Sequence, residues 1–163
     1  MLKKLVEKFK GMVHKLFALK DTPHAIAGGI AIGIFFGFTP LFGFKTLLSL
    51  GLAYLLRCNP VAAVIAVSLH DIAIPLWPVL LRVEFDIGYW LLSSPHTMPP
   101  KFSGHHLIED IMKWRTFYRN GPTALFGSLF LATPTAVMAY FLSLGIVKRT
   151  QERHAKAEAE KEK

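Results

Sequence analysis

Residues 37–46 read GFTPLFGFKT and interrupt a long apolar run at residues 24–56. A straight helix over this run would be roughly 50 Å long, whereas the hydrocarbon core of a bilayer is about 30 Å thick. Pro40 removes a backbone donor in the middle of the run, and the neighbouring glycines permit a bend. The sequence therefore predicts a helical hairpin that turns at FTPLFG, or else two short tilted crossings of a membrane.

The composition indicates a membrane protein. Of the 163 residues, 52% are hydrophobic and 18% are charged, compared with about 25% charged residues in an average globular domain. The net charge is +8, and the basic residues cluster near the chain ends beside apolar runs, which favours anionic lipid over nucleic acid as their counterpart. The single cysteine, Cys58, excludes an internal disulfide.

The fold class predicted from these patterns is an all-α integral membrane protein with one membrane domain at residues 21–147. A basic amphipathic helix at residues 1–20 precedes the domain and is predicted to lie at the membrane interface. Asp21 or Thr22, followed by a proline, is predicted to cap the next helix. Residues 148–163 are predicted to be a charged tail, and the basic segments at both ends predict that both termini are cytoplasmic.

Two further apolar runs follow the first one. Residues 60–92 repeat its pattern, with Pro75 at the break, and predict a second helical hairpin, either re-entrant or spanning. Charged residues at 82, 84 and 86 predict that the last third of this run is exposed to water. After a polar loop at residues 93–119, residues 121–147 predict one kinked transmembrane helix.

Polar residues inside the apolar runs are the candidate functional residues. A lysine in a spanning helix is costly and usually has a partner, and the second run offers Asp71, four residues before its own proline. We therefore predict a Lys45–Asp71 pair with His70 beside it. The alternative is that Lys45 extends to a membrane surface and Asp71 caps a helix start. The candidate buried polar site comprises Thr39, Pro40, Lys45, His70, Asp71 and Pro75.

Two other groups of residues complete the candidate sites. Broken helices with free N–H ends and a buried positive charge suit an anionic head group, and Arg57 with Asn59 would then be a peripheral anionic contact. Their alternative role is a positive, turn-forming loop. Ala27, Gly29 and Gly33 form a small-residue face suited to helix packing.

Motifs for catalysis are missing from the sequence. It contains no G-x-S-x-G, P-loop, HExxH or GxGxxG pattern. We therefore expect a protein that is not an enzyme and that has no catalytic residues, no cofactor and no metal site.

The run from Ala25 to Val83 resembles a known bacterial family through its G-x-F-x-G-F-x-P-L-F-G and R-x-N-x-x-A patterns. The family is catalogued as domain of unknown function 2062, and the resemblance covers roughly residues 20–145. More distantly, the proline-broken hairpins look similar to DedA-type membrane proteins associated with polyprenyl-phosphate recycling. The resemblance implies a helical inner-membrane protein of bacteria without an established activity. Family members often have Asn-Pro where this chain has His70-Asp71, which puts a phosphate-binding pocket in doubt.

Two functions are predicted from the sequence. The first is transporter-like handling of an anionic lipid-linked carrier, such as a polyprenyl phosphate, in the bacterial inner membrane. The alternative is a non-catalytic accessory subunit of a larger membrane complex. The expected partners are a bilayer with anionic lipids and either another membrane protein or a second copy of the chain, with no nucleic acid.

Overall fold

The structure is a computed structural model, and it describes residues 7, 10–12, 19, 21–41, 43–71, 77–94, 96 and 114–161. The described residues form helices and turns and contain no strand, so the all-α prediction is confirmed for this part of the chain. The helices, in chain order, are α1 (Pro23–Phe38), α2 (Lys45–Leu55), α3 (Pro60–Asp71), α4 (Trp77–Leu92) and α5 (Trp114–Lys161).

Helix α1 begins and ends where the local sequence predicts. Thr22 is its N-cap: the hydroxyl accepts a hydrogen bond from the backbone N–H of Ala25 at 3.2 Å, and Pro23 occupies the first turn. A proline is tolerated there because its missing N–H would have no helical partner. The helix ends at Phe38, just before Pro40, and α2 starts at Lys45. The predicted break at FTPLFG is confirmed.

The first three helices form an up-down-up arrangement around α1. Helix α2 folds back along α1, as its Ala53 shares a buried cluster with Ile32. Helix α3 then runs parallel to α1, because contacts advance in the same direction along both helices: Gly29 faces Ala62, and Gly37 faces His70. Consequently the first apolar run is a hairpin, and α3 ends beside its bend.

Small side chains fill the interior of this bundle. Of the thirteen hydrophobic residues buried in the described part of the chain, eight are alanines. A main cluster joins α1, α3 and α5 through Ile26, Ile30, Ala62, Ala66 and Val147. Small residues let helix backbones approach closely, so packing contacts replace large buried side chains.

The second apolar run does not fold as the predicted hairpin. It does break into two helices, but α4 packs mainly on α5 and makes no extensive contact with α3 among the described residues. Gly88 and Gly127 permit the close packing of α4 on α5. A Cβ on either glycine would overlap a backbone carbonyl of the facing helix. The last third of this run was predicted to be exposed to water, and this is wrong at Glu84, which is 1% exposed.

Helix α5 is longer than the predicted third span. It runs without interruption from Trp114 to Lys161, so it includes the end of the predicted polar loop and nearly all of the predicted tail. It also continues through Pro134, which cannot donate to the carbonyl of Phe130. The flanking hydroxyls of Thr133 and Thr135 each donate to a carbonyl one turn earlier at 2.7 Å.

Among the described helices, α5 alone is both long and apolar enough to cross a membrane, over Gly121–Arg153. Helices α1, α2 and α3 are apolar but shorter. The structure thus gives weak support for a membrane protein through one helix. Most of the predicted interfacial helix at residues 1–20, the break at Pro75, and residues 97–113 lie outside the described residues.

Candidate functional site

The bend between α1 and α2 is built by its own sequence. Thr39 closes α1 by donating both its backbone N–H, at 3.2 Å, and its hydroxyl, at 2.8 Å, to the carbonyl of Phe36. Pro40 follows and is buried. Gly43 has a φ of +81°, which favours glycine. The chain then re-enters a helix, with the Lys45 N–H donating to the carbonyl of Leu41 at 3.0 Å.

An ion pair joins this bend to the end of α3. Nζ of Lys45 donates a hydrogen bond to Oδ1 of Asp71. The two side chains differ in exposure, 8% for Lys45 and 39% for Asp71. The lysine charge is therefore held inside the bundle, while the aspartate connects the pair to the outside.

His70 borders the ion pair and packs against the end of α1. Its imidazole lies 4.8 Å from the ring of Phe38, measured between centroids, and covers Gly37, where a Cβ would lie 2.7 Å from Cγ of the histidine. Nδ1 of His70 is buried and has no hydrogen-bond partner among the described residues. Among the described residues, this nitrogen is therefore an unsatisfied polar group near Lys45 and Asp71.

The structure brings five of the six residues of the predicted polar site to one end of the bundle. Pro75, the sixth, lies outside the described residues. The arrangement combines a nearly buried ammonium, a half-exposed carboxylate and an imidazole. It can bind an anion at Lys45 if the anion displaces the carboxylate of Asp71. Alternatively, Asp71 can bind a proton or a cation.

Arg57 and Asn59 lie at the opposite end of α1 and α3. Oδ1 of Asn59 accepts from the N–H of Ala62 at 2.8 Å, and Nδ2 donates to Asp21 at 2.9 Å. The amide is therefore a helix cap and a tie to the start of α1, two roles that the prediction of a peripheral anionic contact did not include. Arg57 is exposed, with a φ of +55° at the end of α2, as its alternative role as a turn residue requires.

The small-residue face predicted on α1 packs inside the chain. Ala27 is fully buried, and a Cβ on Gly29 or Gly33 would overlap a backbone carbonyl of the segment 59–63. The small-residue face is therefore used for helix packing within the chain, because α3 covers its glycines. The parallel packing of α1 on α3 buries this small-residue face.

Two features were missed in the sequence. The first is Glu84, which is buried and whose backbone carbonyl lies against Gly127 where α4 crosses α5. Its four-residue spacing from Gly88 was the available signal, since both then lie on one helix face. The second is an apolar groove of about 520 Å³ between α1, α2 and α5, lined in part by Ile32, Phe35, Leu52 and Val137. No sequence pattern indicates it, because three separate helices form it.

Comparison with known proteins gives a family and no activity. A family model described as an uncharacterized protein conserved in bacteria (DUF2062) matches residues 6–156. No curated protein and no solved structure matches the chain significantly.

Proposed function

The chain belongs to the uncharacterised bacterial family DUF2062, and from this premise we propose that it is a membrane-embedded protein that handles an anionic lipid-linked carrier. The head group of the carrier binds at the Lys45–Asp71 pair. The observation that carries the proposal is the ion pair at a proline-broken bend, in which the lysine is nearly buried. Charged residues within apolar bundles commonly mark the route or binding site of a substrate or ion.

The distribution of large and small residues supports membrane embedding. Alanine dominates the buried set, while many large apolar side chains are exposed, at the bend and on the helices that follow it. Water would favour the reverse arrangement, because large apolar patches rarely stay exposed on soluble monomers. The most exposed of these side chains are Phe44, Leu47, Tyr54, Leu55, Val79, Phe130, Phe141 and Leu142.

The contact between Asp21 and Gln151 supports a single side for both chain ends. Nε2 of Gln151 donates to the carbonyl of Asp21 at 2.8 Å, so α1 starts level with the basic end of α5. Cytoplasmic segments carry excess lysine and arginine, and Lys148 and Arg149 stand at this end. We therefore assign both termini to the cytoplasmic side of the bacterial inner membrane.

In this proposed orientation, the length of α1 gives the depth of the ion pair. Helix α1 has 16 residues, and the bend lies roughly 24 Å from its start. In a hydrocarbon core about 30 Å thick, Lys45 and Asp71 would lie past the midplane, toward the opposite face. A charge at that depth is too far from the cytoplasmic surface, where α1 starts, to serve as an anchor there.

The apolar groove supports a ligand with a hydrocarbon chain. Its walls come from α1 and α2, the helices joined by the bend, and from α5. Leu52 in the groove lies seven residues after Lys45, roughly 10 Å along α2. A carrier could therefore place its chain in the groove and its phosphate at Lys45, where it would replace the half-exposed carboxylate of Asp71.

The test is the lipid content of the purified protein. The intact chain is extracted in mild detergent and analysed by native mass spectrometry, alone and after addition of a polyprenyl phosphate. We expect retention of the anionic lipid, a loss of about tenfold or more in affinity in Lys45→Gln, and no change in Lys148→Gln, which removes an exposed lysine. Equal binding by both variants would contradict the proposed site.

The same measurement distinguishes the alternative function. An accessory subunit would copurify with another membrane protein in fixed stoichiometry, retain no specific anionic lipid and tolerate Lys45→Gln. Exposed apolar residues on α5, such as Phe141 and Leu142, favour this alternative as the contact surface, since the glycine face of α1 is internal.

A further inference from the structure

Glu84 is a buried carboxyl group outside the site at the bend. The residue is 1% exposed, and neither of its carboxyl oxygens has a hydrogen-bond partner among the described residues. It lies on α4 where this helix crosses α5. A Cβ on Gly127 would overlap the backbone carbonyl of Glu84, and a Cβ on Gly88 would overlap that of Thr123. The two backbones are therefore in direct contact at Glu84 and one turn further along α4.

The charged groups nearby do not compensate for an ionised Glu84. Arg82 donates through Nε to Oδ2 of Asp86 at 2.9 Å. These two residues stand two positions from Glu84, on either side, and are rotated about 200° from it around the helix. Across the crossing, α5 contains no ionisable residue from Gly121 to Ala139. Within the described chain, the packed face of Glu84 offers it no cation.

The carboxyl group of Glu84 can be either ionised or protonated. An isolated carboxylate in apolar surroundings costs far more than its protonated form, so such a group takes up a proton. A metal ion would need several oxygen ligands, and the described residues contain no group of three or more His, Cys, Asp or Glu placed to hold one. A proton is the ligand that this single carboxyl can bind.

We propose that Glu84 is a proton-binding site sealed by the glycine crossing of α4 on α5. The carboxyl group carries its proton while the helices are in contact. When they part, water reaches the group, the O–H bond breaks, and the proton passes to water and leaves a carboxylate. This site is separate from the Lys45–Asp71 pair, and its existence does not depend on the proposed lipid ligand.

Infrared spectroscopy of the detergent-purified chain tests the proposal directly. At neutral pH the wild type should show the carbonyl stretch of a protonated carboxylic acid, with the shift expected in deuterated water. Glu84→Gln should remove this band, and Glu152→Gln, which changes an exposed carboxyl on α5, should leave it. A wild type without the band, or a band that persists in Glu84→Gln, would overturn the proposal.

Two more variants keep the test decisive. If Glu84→Gln does not fold, Glu84→Asp should move the band without removing it, and an unmoved band would refute the assignment. Gly127→Ala should push α4 away and admit water, so the band should disappear at a lower pH than in Gly145→Ala. If the band has the same pH dependence in both alanine variants, the contact between α4 and α5 does not exclude water from Glu84.

Discussion

Lys45 and Asp71 are 26 positions apart in the chain, yet Nζ of the lysine donates directly to Oδ1 of the aspartate. The lysine is the first residue of α2, and the aspartate is the last residue of α3. They meet because α1 and α3 run parallel, so the end of α3 reaches the bend that closes α1. The pair thus joins the first apolar run to the second.

Neutralising the aspartate should destabilise the protein. Asp71→Asn removes the carboxylate that pairs with Lys45, which is 7% exposed. Breaking a buried pair by removing one partner costs about 3–5 kcal/mol, and the partial exposure of Asp71 lowers the expected loss to roughly 1–3 kcal/mol. Unfolding in detergent, followed by circular dichroism, measures this loss.

A second substitution shows whether the loss comes from the pair. Lys45→Met removes the lysine charge with which Asp71 pairs, so the double variant should recover part of the stability lost in Asp71→Asn. The coupling energy should fall within about 0.5–3 kcal/mol, as it does for residues in contact. Additive effects of the two substitutions would show that the pair contributes nothing.

Gly33 tests the contact between α1 and α3. A Cβ there would overlap the carbonyl of Ala63 and lie 2.6 Å from Cβ of Ala66. Gly33→Ala should therefore force the parallel helices apart and cost about 1–3 kcal/mol, as overpacking does. Gly51→Ala is the matched control, because nothing lies within 4 Å of its Cβ position. A shift in unfolding midpoint for Gly33→Ala no larger than for the control would contradict the observed packing.

Gly127 offers a similar test of the contact between α4 and α5. Its Cβ would overlap the carbonyl of Glu84, whereas a Cβ at Gly145 on the same helix meets open space. Gly127→Ala should lower the unfolding midpoint. Gly145→Ala should leave it unchanged or raise it, since alanine is favoured over glycine in a helix by up to about 1 kcal/mol. Equal midpoints would mean that the two helices do not touch here.

The tie between Asn59 and Asp21 can be tested by exchanging the two side chains. Asn59→Ala removes a helix cap and should cost about 1 kcal/mol. Asn59→Asp keeps the cap but sets a second carboxylate beside Asp21, so it should also destabilise the protein. Adding Asp21→Asn should restore stability, because the amide and the carboxylate have then changed places. If the double variant is no more stable than Asn59→Asp, the contact is absent.

Much of the local structure could be predicted because its causes are local. Thr22 and Pro23 start α1 by providing a hydroxyl acceptor and a fixed backbone angle, and Pro40 ends it by removing a donor. The Lys45–Asp71 contact was also predicted, since a charge in an apolar run needs a partner and the second run supplied an acidic residue near the corresponding bend.

The continuity of α5 and the burial of Glu84 could not be predicted in the same way. The prediction limited the third helix to residues 121–147, whereas α5 runs from Trp114 to Lys161 and includes Pro122 and Pro134. Glu84 reads as wet, because a carboxylate in an isolated helix prefers water. In the folded chain the side chain is buried and the backbone carbonyl of Glu84 lies against Gly127, which only the arrangement of two distant segments reveals.

The sequence by itself determined that the chain is helical, where α1 and α2 begin, and which residues are too polar for their surroundings. These properties depend on caps, prolines and hydropathy within a few neighbouring positions. The tertiary structure decided which faces are used: the glycines of α1 pack on α3, Asn59 ties two helix starts together, and α4 joins α5 instead of α3. Those choices depend on the fit of backbones far apart in the chain, where one missing Cβ permits a contact that any larger residue would block.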